Sequence, residues 1–314
     1  MSLIQPSPEL VQYGLRAMKV VATADGRFDD RERAVLEAAR DALGSTLDLD
    51  ELAPIEPAEL AAALPAEALR KQLVAGLIVV ALADEDASPA EADAIERFAT
   101  ALGVDSPYVK NLRRLAEGHT MIMRFDLVRR VWALPKMAEQ VRAQGITWLI
   151  RALAALAGIK EDVALAERYR ALEHAPAGSL GRGYFDFIRS NNFALPGEKG
   201  SPPEPISLHD LTHTLTGYGT DAAGELQIAF FHAGCKKVDP FFFTFFAILQ
   251  FHLEVRLAPV APGMRGHFDP ARALAAMTRG ARCTIDPLEG WDPWTVMDEP
   301  LAELCRRYDI ELPS

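Results

Sequence analysis

Cysteine is scarce. Cys235, Cys283 and Cys305 are the only three in 314 residues, and no two share a CxxC spacing. That excludes a disulfide-built fold and points to a reducing compartment. Long hydrophobic runs are also missing. The nearest approach, Val238 to Leu249, is too short to span a bilayer. The first residues lack a basic stretch followed by an apolar core, so no signal peptide is read. No segment alternates apolar and polar residues as a half-buried strand does, so the expected fold is all-α. Positive charge is in deficit, with 33 Lys+Arg against 44 Asp+Glu and a net charge of −11. Generic binding to nucleic acid is therefore not expected.

What is present is an ordinary globular composition, 49% apolar, with a mean hydropathy of +0.03. The length suggests two domains. Charge is unevenly spread. Residues 1–105 hold 20 acidic and 9 basic side chains, whereas residues 110–170 hold 6 acidic and 12 basic. An internal repeat runs through the acidic part at an offset of 59 residues. Val20-Val21-Ala22-Thr23-Ala24-Asp25 aligns with Val79-Val80-Ala81-Leu82-Ala83-Asp84, and Ala42-Leu43-Gly44 with Ala101-Leu102-Gly103. Each copy reads as an apolar helix, an acidic turn and an amphipathic helix stopped by glycine. Residues 110–170 continue as amphipathic helices with interspersed arginines, a face suited to the acidic first domain or to a membrane surface. After Glu173 the texture changes at Pro176, Gly178, Gly181 and Gly183. The expected domains are 1–172, with the repeat core at 15–105, and 173–314. Residues 195–205 read as a loop, and Asp239-Pro240 as the start of a helix ending near Leu257.

The sharpest chemical pattern is His209-Asp210-Leu211-Thr212-His213, followed after eleven residues by Glu225. Histidines four apart share one helix face, so both rings reach one metal. Gly217, Gly219 and Gly224 let a second helix fold back and present Glu225. Two imidazoles with one or two carboxylates suit zinc, iron or manganese. Asp210 is open to two readings, a fourth ligand or catalytic proton carrier on one side and a helix-start cap on the other.

Two further clusters stand out. Eight of the fifteen phenylalanines lie between Phe230 and Phe251. A helix apolar all round is buried, so Phe231, Phe242, Phe245 and Phe246 are candidates either for plain core or for lining a cavity that holds a lipid tail. The repeated acidic turns offer Asp25, Glu32, Asp84 and Glu91. The two glutamates fit capping boxes, whereas the aspartates sit near helix C-termini, where negative charge is disfavoured. A weak divalent-ion site that shares Asp25 with Glu32, or Asp84 with Glu91, would account for the aspartates.

At His209-Asp210-x-x-His213 and Glu225, with Gly178-Ser179-Leu180-Gly181-Arg182 ahead of them and Trp294 to Ile310 behind, the chain resembles the fourth coenzyme Q (ubiquinone) biosynthesis protein family. The resemblance implies an all-helical, metal-binding domain beside an isoprenoid groove. It also implies a function in assembling quinone-biosynthetic enzymes and in the oxidative removal of the ring C1 carboxyl. Residues 15–105 resemble the tellurite-resistance TerB-like domains, which carry paired acidic turns that bind divalent ions. Here Glu85 replaces the glycine of the second turn. The expected protein is cytoplasmic and peripheral at the inner membrane face. It binds zinc or another divalent metal and a polyprenylated ring precursor, and acts as a decarboxylase. The alternatives are a non-catalytic lipid-binding scaffold with structural zinc and a metal-dependent hydrolase with Asp210 as base. Expected partners are an isoprenoid quinone precursor or other long-chain lipid, quinone-biosynthesis enzymes and a second copy in a homodimer.

Overall fold

The computed structural model describes residues 4–257 and 262–311. Among these residues there are sixteen α-helices and no strand, only two isolated bridges, so the fold is all-α. In chain order the helices are α1 (Pro8–Ala22), α2 (Asp30–Ala42), α3 (Pro57–Ala63), α4 (Glu67–Val80), α5 (Pro89–Leu102), α6 (Pro107–Ala116), α7 (Thr120–Val128), α8 (Ala133–Gln144), α9 (Ile146–Leu156), α10 (Val163–Arg170), α11 (Leu180–Ser190), α12 (Ser207–Thr216), α13 (Ala222–Cys235), α14 (Phe241–Phe251), α15 (Pro270–Arg282) and α16 (Leu301–Arg307). No described helix is long and apolar enough to cross a membrane.

The packing divides the chain elsewhere than at the compositional break near residue 172. One unit is Met1–Val128 with Glu225–Ala281, and the other is Arg129–Gly224 with Arg282–Ser314. The physical reason is α14. Nine of its eleven residues are buried, so it needs apolar cover on every side.

In the first unit the 59-residue repeat is structural. The start of α1 maps onto the start of α4, and that of α2 onto that of α5. Both capping boxes form. Asp29 accepts from the Arg31 N–H and its own N–H donates to Glu32, while Ser88 and Glu91 cap each other. Gly26 takes φ 88° in the first turn, and its counterpart Glu85 takes φ 70° in the second. A left-handed glutamate is strained. It is held there by ion pairs to Arg31 and Arg265. Beside it, His252 Nε2 donates to the Ala83 carbonyl at 2.8 Å, while its Nδ1 accepts from the Phe268 N–H. The returning segment thus clamps the second acidic turn. Tyr108 does the same for α14, packing edge-on against Phe241 and Phe245 and donating its hydroxyl to Asp239 at 2.6 Å.

Helix α14 is shorter than the sequence suggests. Asp239 is left-handed, φ 47°, so Pro240 occupies the cap position. The helix stops at Phe251 because the buried Gln250 amide takes over the following backbone. It accepts from the Leu257 N–H and donates to the Pro262 carbonyl.

In the second unit, α8 and α9 form a hairpin turning at Gly145. The Pro-rich stretch 195–205 is pinned. Glu198 receives Arg170, Arg189 and the Leu195 N–H. Burial would raise this carboxyl, but the two guanidiniums and the N–H hold it well below the ordinary carboxylate range. The amphipathic helices around 110–170 leave apolar side chains uncovered. Phe125 in the first unit is exposed, and Ile146, Ile150 and Leu153 form an exposed stripe along α9.

Capping at α5 sets the second acidic turn, so its loss is measurable. Ser88→Ala should cost about 1 kcal/mol of stability, read as a lower urea midpoint.

Candidate metal centre

The candidate ligands come from two helices joined by a five-residue turn. Pro202, Pro203 and Pro205 direct the chain into a short 3₁₀ turn, Glu204–Ile206, that runs straight into α12. Helix α12 ends at Gly217, which is left-handed at φ 73° and returns its N–H to the His213 carbonyl at 2.8 Å. This sharp stop places the Tyr218 carbonyl 3.1 Å from His213 Nδ1. A carbonyl can only accept, so Nδ1 carries the proton and Nε2 presents its lone pair. Phe187 stacks on the His213 ring at 5.5 Å, and the ring is 2% exposed. Orientation and tautomer are both set before any ion arrives.

His213 Nε2 lies 3.2 Å from His209 Nε2, and the two rings meet edge to face. Two nitrogens each about 2.0–2.1 Å from one tetrahedral zinc would be separated by about 3.3 Å. The observed pair already has that spacing.

The third group is Glu225, in the first turn of α13. Asp221 starts this helix by accepting from the Gly224 N–H at 2.8 Å. A Cβ on Gly224 would collide with the Gly219 carbonyl, so only glycine permits the close return of the chain. Glu225 is the next residue of the same helical turn. His209, His213 and Glu225 each offer a ligand atom, and these atoms lie within 4.8 Å of one another. Asp210 follows His209 directly on α12. It is half-buried, and its charge is felt at Tyr184, whose phenol is pushed far above its usual range, first by burial and then by Asp210.

The candidate lipid residues fall otherwise. Phe231, Phe242 and Phe245 are buried in the first unit and Phe246 is half-buried. None of the four lines that unit's apolar cavity, to which Phe230 and Phe241 contribute instead.

The four acidic-turn residues do come under one another's influence. Glu32 and Glu91 are 4% and 3% exposed. Burial pushes Glu32 up to about 7 and Glu91 to about 8, and the charge of Asp84 adds to both. Asp84 is raised as well, chiefly by burial and then by neighbouring aspartates including Asp25. Each aspartate also caps its own turn, Asp25 accepting from the Arg27 N–H and Asp84 from the Asp86 N–H. That accounts for two side chains that helix-dipole reasoning leaves unexplained. Glu91 Oε1 has no hydrogen-bond partner. Among the described residues, these four are not gathered as closely as His209, His213 and Glu225 are.

With this geometry in place, comparison with known proteins decides one point. Residues 56–114 match the family model of tellurite resistance protein TerB. This TerB-like segment covers the second acidic turn and α3 to α6, and not the first copy of the repeat. Among curated proteins and solved structures nothing matches the chain.

Sequence reasoning missed Tyr218 and Phe187. Tyr218 was within reach, since it follows the glycine that stops α12. Phe187 carries no local signal, because its contact with His213 is made only when α11 packs on α12.

Two outcomes follow. Glu32 and Glu91 keep protons in the folded chain at pH values where an unfolded carboxyl of pKa 4.5 has lost them. Their contribution to stability is therefore full below about 4.5 and is lost as pH rises through about 7 and 8. Urea midpoints between pH 5 and 8 should fall, and Glu91→Gln should flatten that fall. Gly224→Ala should cost about 1–3 kcal/mol as overpacking against backbone and should weaken metal binding, both readable by denaturation with and without zinc.

Proposed function

We propose that this chain is a divalent-metal protein of isoprenoid-quinone biosynthesis, with His209, His213 and Glu225 as the metal's ligands. The carrying observation is the convergence of two imidazole nitrogens and a carboxylate within 4.8 Å, one imidazole already locked in the ligating tautomer. The donor set fits zinc, with iron or manganese as alternatives. With these three side chains as its ligands, a bound zinc would have room for a substrate oxygen, as catalytic rather than structural zinc does.

A bound metal would supply Lewis-acid stabilisation of charge on a phenolate or carboxylate ring head. The chain's own residues do the rest. Tyr218 holds the His213 proton on Nδ1, and Phe187 shields the ring face from water. Asp210, on the same helix turn as His209, would serve as the proton carrier that supplies the ring when the C1 carboxyl leaves. The exposed stripe Ile146, Ile150 and Leu153, with Arg142 and Lys160 on the same hairpin and its following turn, supports peripheral attachment to a membrane that stores prenylated substrates.

The test is elemental analysis of purified protein followed by turnover of a prenylated ring acid. One metal per chain is expected. His213→Ala and Glu225→Ala should each weaken metal affinity by more than about 100-fold, the upper end of what losing an outer partner of a ligand costs. Full stoichiometry in His213→Ala overturns the assignment. Metal without release of carbon dioxide returns the site to a scaffold, and ester or amide cleavage points to the hydrolase.

A further inference from the structure

The first unit contains a cavity of about 470 Å³, within the size range of sites for small organic ligands. Its walls are α1, α2 and α4 on one side and α13 to α15 on the other. Leu10, Met18, Leu73, Phe241, Leu274 and Met277 make it largely apolar.

Three features separate it from a packing flaw. First, Gly76 lines it from the interior of α4, and a Cβ there would meet nothing within 4 Å. Glycine inside a helix costs up to about 1 kcal/mol relative to alanine, and no close backbone contact requires it here, so the residue keeps space open at a cost in stability. Second, Thr244 lines the cavity from α14 fully buried, and its hydroxyl has no hydrogen-bond partner. A buried hydroxyl left unmatched is unfavourable unless something else meets it. Third, three of the four charged side chains on the lining already have partners, and the fourth, Lys237, is exposed to solvent. The four are Lys71, Asp105, Lys237 and Asp239. Lys71 pairs with Glu67, Asp105 with Lys110, and Asp239 accepts from Tyr108. A charged head group would bring an uncompensated charge into an apolar space, which is strongly disfavoured.

We propose that this cavity binds a single-chain, uncharged lipid: one long aliphatic or prenyl body with one neutral oxygen that accepts the Thr244 hydroxyl. The site stands apart from the metal reading, since none of His209, His213 and Glu225 lines it.

The experiment measures displacement of a fluorescent long-chain alcohol from the full-length protein by octanol, dodecanol, hexadecanol, farnesol and palmitic acid. Affinity should climb about fourfold per added methylene until the chain outgrows the cavity, and hexadecanol should bind at least tenfold more tightly than palmitic acid. Farnesol against dodecanol separates prenyl from straight-chain preference. Gly76→Leu fills the space while improving helix propensity, so it should fold and lose binding by more than tenfold. Thr244→Val, nearly isosteric, should weaken binding about two- to tenfold. His213→Ala should bind as the unchanged chain does, which separates failure here from failure at the metal. Undiminished binding in both Gly76→Leu and Thr244→Val overturns the proposal, as does palmitic acid binding more tightly than hexadecanol, or no binding of any alcohol.

Discussion

Helix α14 cannot face water on any side. Nine of its eleven residues are buried, and its only buried polar side chains are Thr244 and Gln250. A helix of this kind must be surrounded, and the partners it finds are the helices of the N-terminal repeat, through Tyr108 and the cavity wall. Much of the architecture follows. The chain leaves the first unit after α7, builds α8 to α12, and returns to the first unit before ending in the second. The first unit is therefore discontinuous, and the TerB-like segment is finished by helices more than a hundred residues downstream.

That return has a local consequence at the second acidic turn. In the first turn Gly26 takes the left-handed backbone without strain. In the second, Glu85 takes it and is held by Arg265 and Arg31, with His252 fixed to the adjacent Ala83 carbonyl. The two copies of the repeat are not equivalent at this turn. One copy relies on glycine, the other on charge and on a distant segment. Burial raises the Glu32 and Glu91 carboxyls well above the ordinary carboxylate range, so these turns do not hold a fixed pair of anions.

The candidate metal group, by contrast, is built from local features. His209, His213 and Glu225 lie within seventeen consecutive residues. Helix spacing sets the first two. The Gly217 stop supplies the carbonyl that orients His213, and Gly224 permits the tight return that brings Glu225 up. Each of these steps is local to the segment.

This locality divides what each source of information decides. The amino-acid sequence determined the helical class, the 59-residue repeat, both capping boxes and the His-x-x-x-His spacing with its returning glutamate, because hydrogen bonds and periodicities within a few residues govern all of them. It also limited Asp210 to ligand, proton carrier or cap without choosing among them. Tertiary structure alone decided that Phe230 and Phe241 line the cavity while Phe231, Phe242 and Phe245 are packed into the core, and that the units part at 128, 224 and 281 instead of 172. Those outcomes depend on which apolar face meets which. Hydrophobic burial is non-directional, so the residues of α14 state that they must be covered and leave the covering surface to the fold.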